Sequence, residues 1–433
     1  MSTSLIIQAF FGFFFLILVA LIFSENKKQI NWKLIITAFL LQNVIFLLIR
    51  YVPLVHDMLE HISMGLIKLL EYAKEGASFV FGNLTNTKSY GFIFALVVVP
   101  TIVFFSSLIS ILYFYGIIQK IISILAHLLR KTMKLSGVES LVIIADVFLG
   151  QSEGPLVIGP YIKLMTKSQL ACAFLAGMAN LSGSTLGIYL AFLAGDDPVQ
   201  QLVFANYLLT ATFMNAFAAI IFAKILFPET EDVDYSKPIN LHHENQGNVL
   251  DSIVGGAMTG IKVGVAITTI LLAVIPLIHL IDAILGQIGA LVHVNQIIAS
   301  STNNTFDSLS LEYVLGQIFR IFAFFMGVTW SETLQVGSLL GQKVAINEFV
   351  AYIGLGKLKA ASAISANSIY ISTFALASFS NFSSIGISMG VYSILAPEKQ
   401  KVIASFAFKA LFGAVLAGFM TATIAGFWHN IFG

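Results

Sequence analysis

Apolar residues in this chain gather into long runs instead of alternating with polar ones. Eight runs reach the length of about 17–25 residues that a helix needs to cross a bilayer: residues 5–23, 34–55, 92–118, 170–193, 202–227, 263–285, 360–395 and 403–432. Residues 56–81 differ. Asp57, Glu60, Lys68, Glu71, Lys74 and Glu75 recur among Leu59, Ile62, Leu66 and Leu70 at roughly helical spacing. That pattern predicts an amphipathic helix lying at the membrane interface, and a water-facing surface helix fits it as well. Residues 228–248 are acidic and polar and predict a linker between two halves; residues 295–310 form a second polar loop.

Two further apolar stretches are interrupted. Residues 138–162 contain Glu139, Asp146, Gly150, Gln151, Ser152, Glu153, Gly154, Pro155 and Pro160, and residues 313–352 contain Arg320, Glu332, Gly337, Gly341, Gln342, Lys343, Asn347 and Glu348. A charge near the bilayer centre costs about 2.5–3.5 kcal/mol even on a lenient insertion scale. Backbone opened by Gly or Pro survives at that depth only inside protein or beside a wet cavity. Both stretches therefore predict re-entrant helical hairpins with polar tips. Arg320 and Glu332 stand where they can pair within the second.

The hairpins resemble each other: Leu149-Gly150-Gln151 followed by Glu153, and Leu340-Gly341-Gln342 followed by Glu348. Each precedes a span with a polar, small-residue knot, Asn180-Leu181-Ser182-Gly183-Ser184-Thr185 in one and Asn381-Phe382-Ser383-Ser384-Ile385-Gly386 in the other. Broken helices at corresponding places in two halves point to the central site of a transporter. The predicted fold is an all-α integral membrane protein, with about eight transmembrane helices and two re-entrant hairpins in inverted repeats, plus interfacial helices. Its expected divisions are 1–90 (N-terminal spans and interfacial helix), 91–135 (scaffold helix), 136–227 (first repeat), 228–262 (linker and interfacial helix), 263–311 (scaffold span and loop), 312–395 (second repeat) and 396–433 (C-terminal span).

Composition narrows the function. Of 433 residues 58% are hydrophobic and 10% charged, against about 25% charged in a soluble domain. A net charge of +1 gives no pull toward nucleic acid. The single cysteine, Cys172, excludes an intramolecular disulfide, and the eight histidines lack metal-ligand spacing. The first run has neither a basic leader nor a small-residue exit, so it is expected to stay as a span. Lys27, Lys28, Lys33, Arg130, Lys131, Lys134, Lys163, Lys167, Lys399 and Lys401 fall on one side if both termini lie outside the cell membrane. No enzyme is expected, because Ser152 beside Glu153 has no histidine partner and no G-x-S-x-G elbow occurs. Two unlike hairpins suit one occluded site better than the continuous pore of a channel.

The tips and knots offer Gln151, Ser152, Glu153, Asn347, Glu348, Asn381 and Ser384, with Phe379 and Phe382 nearby. Amides and hydroxyls suit a base edge, a carboxylate suits ribose hydroxyls, and an aromatic wall suits stacking. A nucleoside is the expected cargo, with a nucleobase or another small polar metabolite as the alternative. The duller readings are that Asp146 is a loop residue or helix cap, and that Glu153 and Glu348 only satisfy hairpin backbone.

Gly150-Gln151-Ser152-Glu153-Gly154-Pro155-Leu156, Asn347-Glu348-Phe349-Val350-Ala351-Tyr352 and Phe379-Ser380-Asn381-Phe382-Ser383-Ser384-Ile385-Gly386 resemble the signature segments of the concentrative nucleoside transporter family, as does Met326-Gly327-Val328-Thr329-Trp330-Ser331-Glu332. The resemblance implies a homotrimer built on a scaffold domain, a mobile transport domain moving like an elevator, and symport driven by a sodium or proton gradient. It places Gln151 and Ser152 at the base, Glu153 nearby, Glu348, Asn381 and Ser384 at the ribose, and Phe379 as the aromatic wall. It matches the sodium cluster to Asp146, Leu149, Asn180 and Leu181. The family pattern has Asn where this chain has Asp146, a small hydroxyl residue where it has Asn180, and a small apolar residue where it has Thr185. The extra carboxylate suits tighter sodium binding or a proton, with the proton slightly favoured; Thr185 is expected to retune the base or ribose contacts.

Overall fold

A computed structural model gives the structure of the chain and describes residues 3–91, 93–195, 197–231 and 247–432, without the side chains of residues 87, 88 and 184. Most of the expected linker therefore lies outside the described residues.

Helices α1 (Thr3–Ile22) and α2 (Trp32–Tyr51) come first, followed by α3 (Pro53–Phe81), α4 (Phe94–Phe114) and α5 (Ile117–Met133). A hairpin follows, made of α6 (Gly137–Phe148) and a return arm of two short helical turns, Gly154–Val157 and Gly159–Leu164. Then come a broken helix, α7 (Lys167–Ala179) and α8 (Gly183–Ala194), and the long α9 (Pro198–Leu226). The second half holds α10 (Val249–Leu291), α11 (Val294–Ser301) and α12 (Leu311–Phe325), then a hairpin of α13 (Thr333–Ala345) and α14 (Glu348–Ala360). Another broken helix, α15 (Ala366–Leu376) and α16 (Phe382–Leu395), leads to the long α17 (Gln400–Phe432). Long helix, hairpin, broken helix, long helix is thus written twice, with one shorter helix before the hairpin in the first half and two in the second.

The starts of these elements are local chemistry. Ser136 with Glu139, Thr166 with Gln169 and Asn248 with Asp251 form reciprocal caps at the heads of α6, α7 and α10. Asn347, Ser365 and Asn381 cap α14, α15 and α16 through their side-chain oxygens. Glu139 also pairs, fully buried, with Lys224 of α9, and Lys224 donates to Ser168 Oγ (3.0 Å), so the foot of the first hairpin is tied to α9. Breaking such a pair leaves one charge stranded, typically at about 3–5 kcal/mol.

Six continuous helices among the described residues are long and apolar enough to span a membrane, and the two broken helices complete eight crossings. Within their apolar windows, α9 is 83% buried and α10 only 17%. The first is wrapped by protein; the second offers Leu272, Leu277, Leu280 and Ile284 outward. Gly256, Gly260 and Gly264 let α10 lie directly on α4: a Cβ on any of them would fall within 2.7 Å of α4 atoms. Small residues at this spacing allow such close backbone approach in membranes. The hairpin arms α6, α13 and α14 and the broken-helix halves have 11–14 residues. At 1.5 Å per residue they measure roughly 17–21 Å, short of the roughly 30 Å hydrocarbon layer.

Four expectations are corrected. The second hairpin turns at Ile346-Asn347 and spans α13 and α14, so the expected 313–352 stretch takes in α12 and stops midway along α14. Leu340-Gly341-Gln342 is not a tip but sits inside α13, where Gly341 meets Leu315 of α12 and the Gln342 amide donates to Ser338 Oγ (3.0 Å). The boundary set at residue 263 falls inside α10, which runs unbroken for 43 residues past Pro276. Arg320 and Glu332 do not pair. Arg320 lies over the Trp330 ring at 4.2 Å, while Glu332 accepts from Ser365 and Ser368 at the head of α15.

Candidate binding site at the hairpin tips

Four separate segments converge on one chain of hydrogen bonds. Gln151, at the first tip, donates from Nε2 to Ser384 Oγ (3.1 Å) and accepts at Oε1 from Ser388 Oγ (3.3 Å). The Ser384 N–H donates to Asn381 Oδ1 (3.0 Å), as does Ser383 Oγ (2.6 Å). Asn381 in turn donates from Nδ2 to Glu348 Oε2 (2.8 Å), at the second tip. The Tyr189 hydroxyl of α8 donates to the other carboxylate oxygen, Oε1 (3.3 Å). Every member of this chain except Ser383 is buried.

The breaks in the two split helices touch each other. The Phe379 N–H donates to the Asn180 carbonyl (3.3 Å), so the unwound segment of one repeat closes on that of the other. Gly150 permits this crossing. Its φ is +81°, and a Cβ there would lie 2.8 Å from the Ser182 Cβ and 3.4 Å from the Phe379 ring. Thr185 donates from its hydroxyl to the Ser182 carbonyl (2.9 Å) and also meets the Tyr189 hydroxyl. Ser152 is exposed at the tip. Half-buried Glu153 lines a cavity of about 390 Å³ with Leu149 and Leu156, walled by Ser106, Ser110 and Tyr113 of α4 and by Ser252, Gly256 and Thr259 of α10.

Around the last turn of α7 lies a group of acceptors with nothing donating to them. Asp146 is fully buried inside α6, and neither of its carboxylate oxygens has a hydrogen-bond partner. Asn180 donates from Nδ2 to the Ala176 carbonyl (3.1 Å) and leaves Oδ1 without a partner. Outside the regular helices, no backbone N–H of the described residues donates to the carbonyls of Leu149 or Leu181. A Cβ on Gly154 would meet Asp146 Oδ1 at 1.9 Å and one on Gly177 at 3.6 Å, so glycine clears the space around the carboxylate. The buried Tyr392 hydroxyl, also unpartnered, faces the same charge. Buried polar atoms without partners are uncommon and call for a reason. A cation, held by oxygen ligands, would satisfy this set.

The structure thus brings Gln151, Glu348, Asn381 and Ser384 into one hydrogen-bonded chain, sets Phe379 and Thr185 beside it, and leaves Ser152 and Glu153 at its margin. Tyr189 and Ser388 were not among the expected site residues. Each lies four positions beyond one that was, Thr185 and Ser384, and so shares its helix face.

Comparison with known proteins agrees with this arrangement. Family profiles described as "Na+ dependent nucleoside transporter N-terminus", "Nucleoside recognition" and "Na+ dependent nucleoside transporter C-terminus" match residues 11–84, 95–195 and 207–426. The chain belongs to the concentrative nucleoside transporter family. Its relatives include the nucleoside permease NupC of Helicobacter pylori, 34% identical over 97% of both chains. An uncharacterized transporter of Haemophilus influenzae is 37% identical over 98% of both. A solved structure of CNTnw in an inward-facing substrate-bound state superimposes with a TM-score of 0.89, at 36% identity, over 99% of each chain. A doubly substituted CNTnw in an outward-facing state gives 0.88, at 36% identity, over 99% of this chain and 98% of that one. The family's members are transporters, not enzymes, and this chain is a multi-pass membrane protein of nucleoside transport.

Proposed function

We propose that this chain imports nucleosides across the cell membrane in symport with sodium. The hydrogen-bonded chain from Gln151 through Ser384 and Asn381 to Glu348 carries the reading, because it unites both hairpins and the second broken helix at one buried place. In the bound state Glu348 and Asn381 exchange their mutual bond for the ribose hydroxyls, Gln151 releases Ser384 to meet the base edge, and Phe379 walls the ring. Thr185 and Tyr189 flank this site; Ser152 and Glu153 meet solute entering from the cavity beside α4 and α10.

The coupling cation binds at Asp146, Asn180 and the carbonyls of Leu149 and Leu181. Sodium is favoured over the proton, because several converging oxygens suit a coordinated ion and the matching profiles describe sodium dependence. The hairpins are re-entrant, and they move with the broken helices, α9 and α17 as a transport domain against α4 and α10. That elevator-like movement is supported by relatives solved in inward- and outward-facing states. The termini lie outside, and three copies form a homotrimer as the resemblance implies.

Purified protein in liposomes tests this. Labelled uridine or adenosine uptake should saturate and should rise when an inward sodium gradient is imposed. A proton gradient alone should leave it at the basal rate. Uptake that responds only to the proton gradient would overturn the choice of ion, and uptake competed by free bases but not by nucleosides would overturn the cargo.

A further inference from the structure

The first half of each broken helix, α7 and α15, ends inside the protein. Such an end leaves carbonyls without helical partners and a partial negative charge. The two repeats meet that demand differently. Asp146 lies two residues before the end of α6 and Lys343 two residues before the end of α13, so the two occupy the same place on the entering arms of their hairpins. Asp146 brings further acceptors to the end of α7. Lys343 brings donors to the end of α15.

Its Nζ donates to the Ala375 carbonyl in the last turn of α15 (2.8 Å) and to Ser378 Oγ in the break (2.6 Å). The Ser378 and Ser380 hydroxyls are bonded to each other (2.9 Å). Lys343 is fully buried, and among the described residues it forms no ion pair. Glu348 acts on it only through space. A Cβ on Gly418 would come 3.3 Å from Nζ, so α17 closes over the ammonium. The carbonyl and the serine hydroxyl that meet the buried amine, with a second serine behind the first, are the kind of hard oxygen ligands that a sodium ion takes.

We propose that Lys343 is a tethered cation. Its ammonium fills, in the second repeat, the place that the mobile coupling cation fills in the first, and so limits the chain to one exchangeable cation. The proposal rests on Asp146 as the cation site.

Thermal unfolding of the purified full-length protein, titrated with sodium chloride against choline chloride at constant ionic strength, tests it. A ligand that binds only the folded state raises the melting temperature as its site fills. Above half-occupancy the parent's melting temperature should rise in proportion to the logarithm of sodium concentration, with the slope of one bound ion. Lys343→Ser, which removes the ammonium and leaves room and a hydroxyl, should keep that slope at low sodium and steepen toward twice it at higher sodium, as a second ion binds. A variant titration that keeps the parent's slope throughout would overturn the proposal. If Lys343→Ser is recovered only as aggregate, Lys343→Met decides, since it keeps the stem and loses the charge. That chain should melt lower than the parent at every sodium concentration while keeping the parent's slope. A Lys343→Met chain as stable as the parent would overturn the proposal equally. No nucleoside enters these titrations, so they fail separately from the transport reading, whose failure shows as absent uptake by the parent.

Discussion

The two hairpins share a position in the fold and differ in charge. In the first, Asp146 is buried without a partner and Gln151, at the tip, is neutral. In the second, Lys343 stands where Asp146 does, and Glu348 stands where Gln151 does. The second repeat therefore carries its own positive and negative groups, with the carboxylate bonded to Asn381 and Tyr189 and the ammonium bonded to the end of α15. At the same place the first carries the Asp146 carboxylate, to which nothing donates. A lone buried carboxylate is expensive unless something neutralises it, and a coupling cation from solution, as proposed, would meet that need in the first repeat. The asymmetry teaches that a few side chains can give the two halves of a repeated fold different buried ionisable groups, with the backbone plan left the same.

Three substitutions would break or sharpen that contrast. Glu348→Gln makes the two tips alike and has the largest expected effect. A hydrogen bond to a charged group contributes about 1.5–3 kcal/mol, and the carboxylate accepts two. Nucleoside affinity, measured by equilibrium binding, should fall about 100-fold or more while the circular dichroism spectrum stays that of the parent. Full affinity in the variant would remove Glu348 from the site. Asp146→Asn keeps the shape and removes the buried carboxylate to which nothing donates. The sodium concentration for half-maximal uptake should rise about tenfold, as loss of roughly 1.4 kcal/mol of ion binding requires; an unchanged sodium dependence would place coupling elsewhere.

The smallest effect is expected at Glu25, which joins the first repeat to the second. It bonds Lys167 at the head of α7 (2.8 and 2.9 Å) and Lys409 of α17 (3.3 Å). Partial burial raises its carboxyl pKa, but the two lysines outweigh that and hold it below the ordinary value of 4.5. Its contribution is therefore present above the usual carboxylate range and lost as pH falls through the lowered value. Glu25→Gln should cost about 0.2–1 kcal/mol near neutral pH, as for other exposed ion pairs, and the difference from the parent should shrink in acid and in high salt. A constant difference across pH and salt would show that the pair contributes nothing through charge.

Glycine marks where reading the sequence succeeded and where it failed. Gly150, followed by Gln151, Glu153 and Pro155, announced a turn, and the structure turns there with a positive φ. Gly337 and Gly341 looked like similar interruptions and drew the second hairpin toward residues 313–352. In the structure they are helical, and they let α13 lie against α12: a Cβ on Gly337 would be 2.7 Å from the Arg320 amide nitrogen. The same residue type permits either a break or a close approach, and only the neighbouring helix decides which.

By itself the sequence determined what short-range chemistry and transfer to lipid can determine. It fixed the apolar spans, the polar tips and the motif residues that mark the family. Tertiary structure decided the register between the repeats, because that depends on which side chains meet at the ends of α7 and α15. It also decided that Phe379 closes on Asn180, that Tyr189 completes the chain to Glu348, and that Lys343 rather than a free ion faces Ala375. Partners in those contacts lie between about 30 and 200 positions apart in the chain, a separation at which spacing carries no information and packing alone chooses the neighbour.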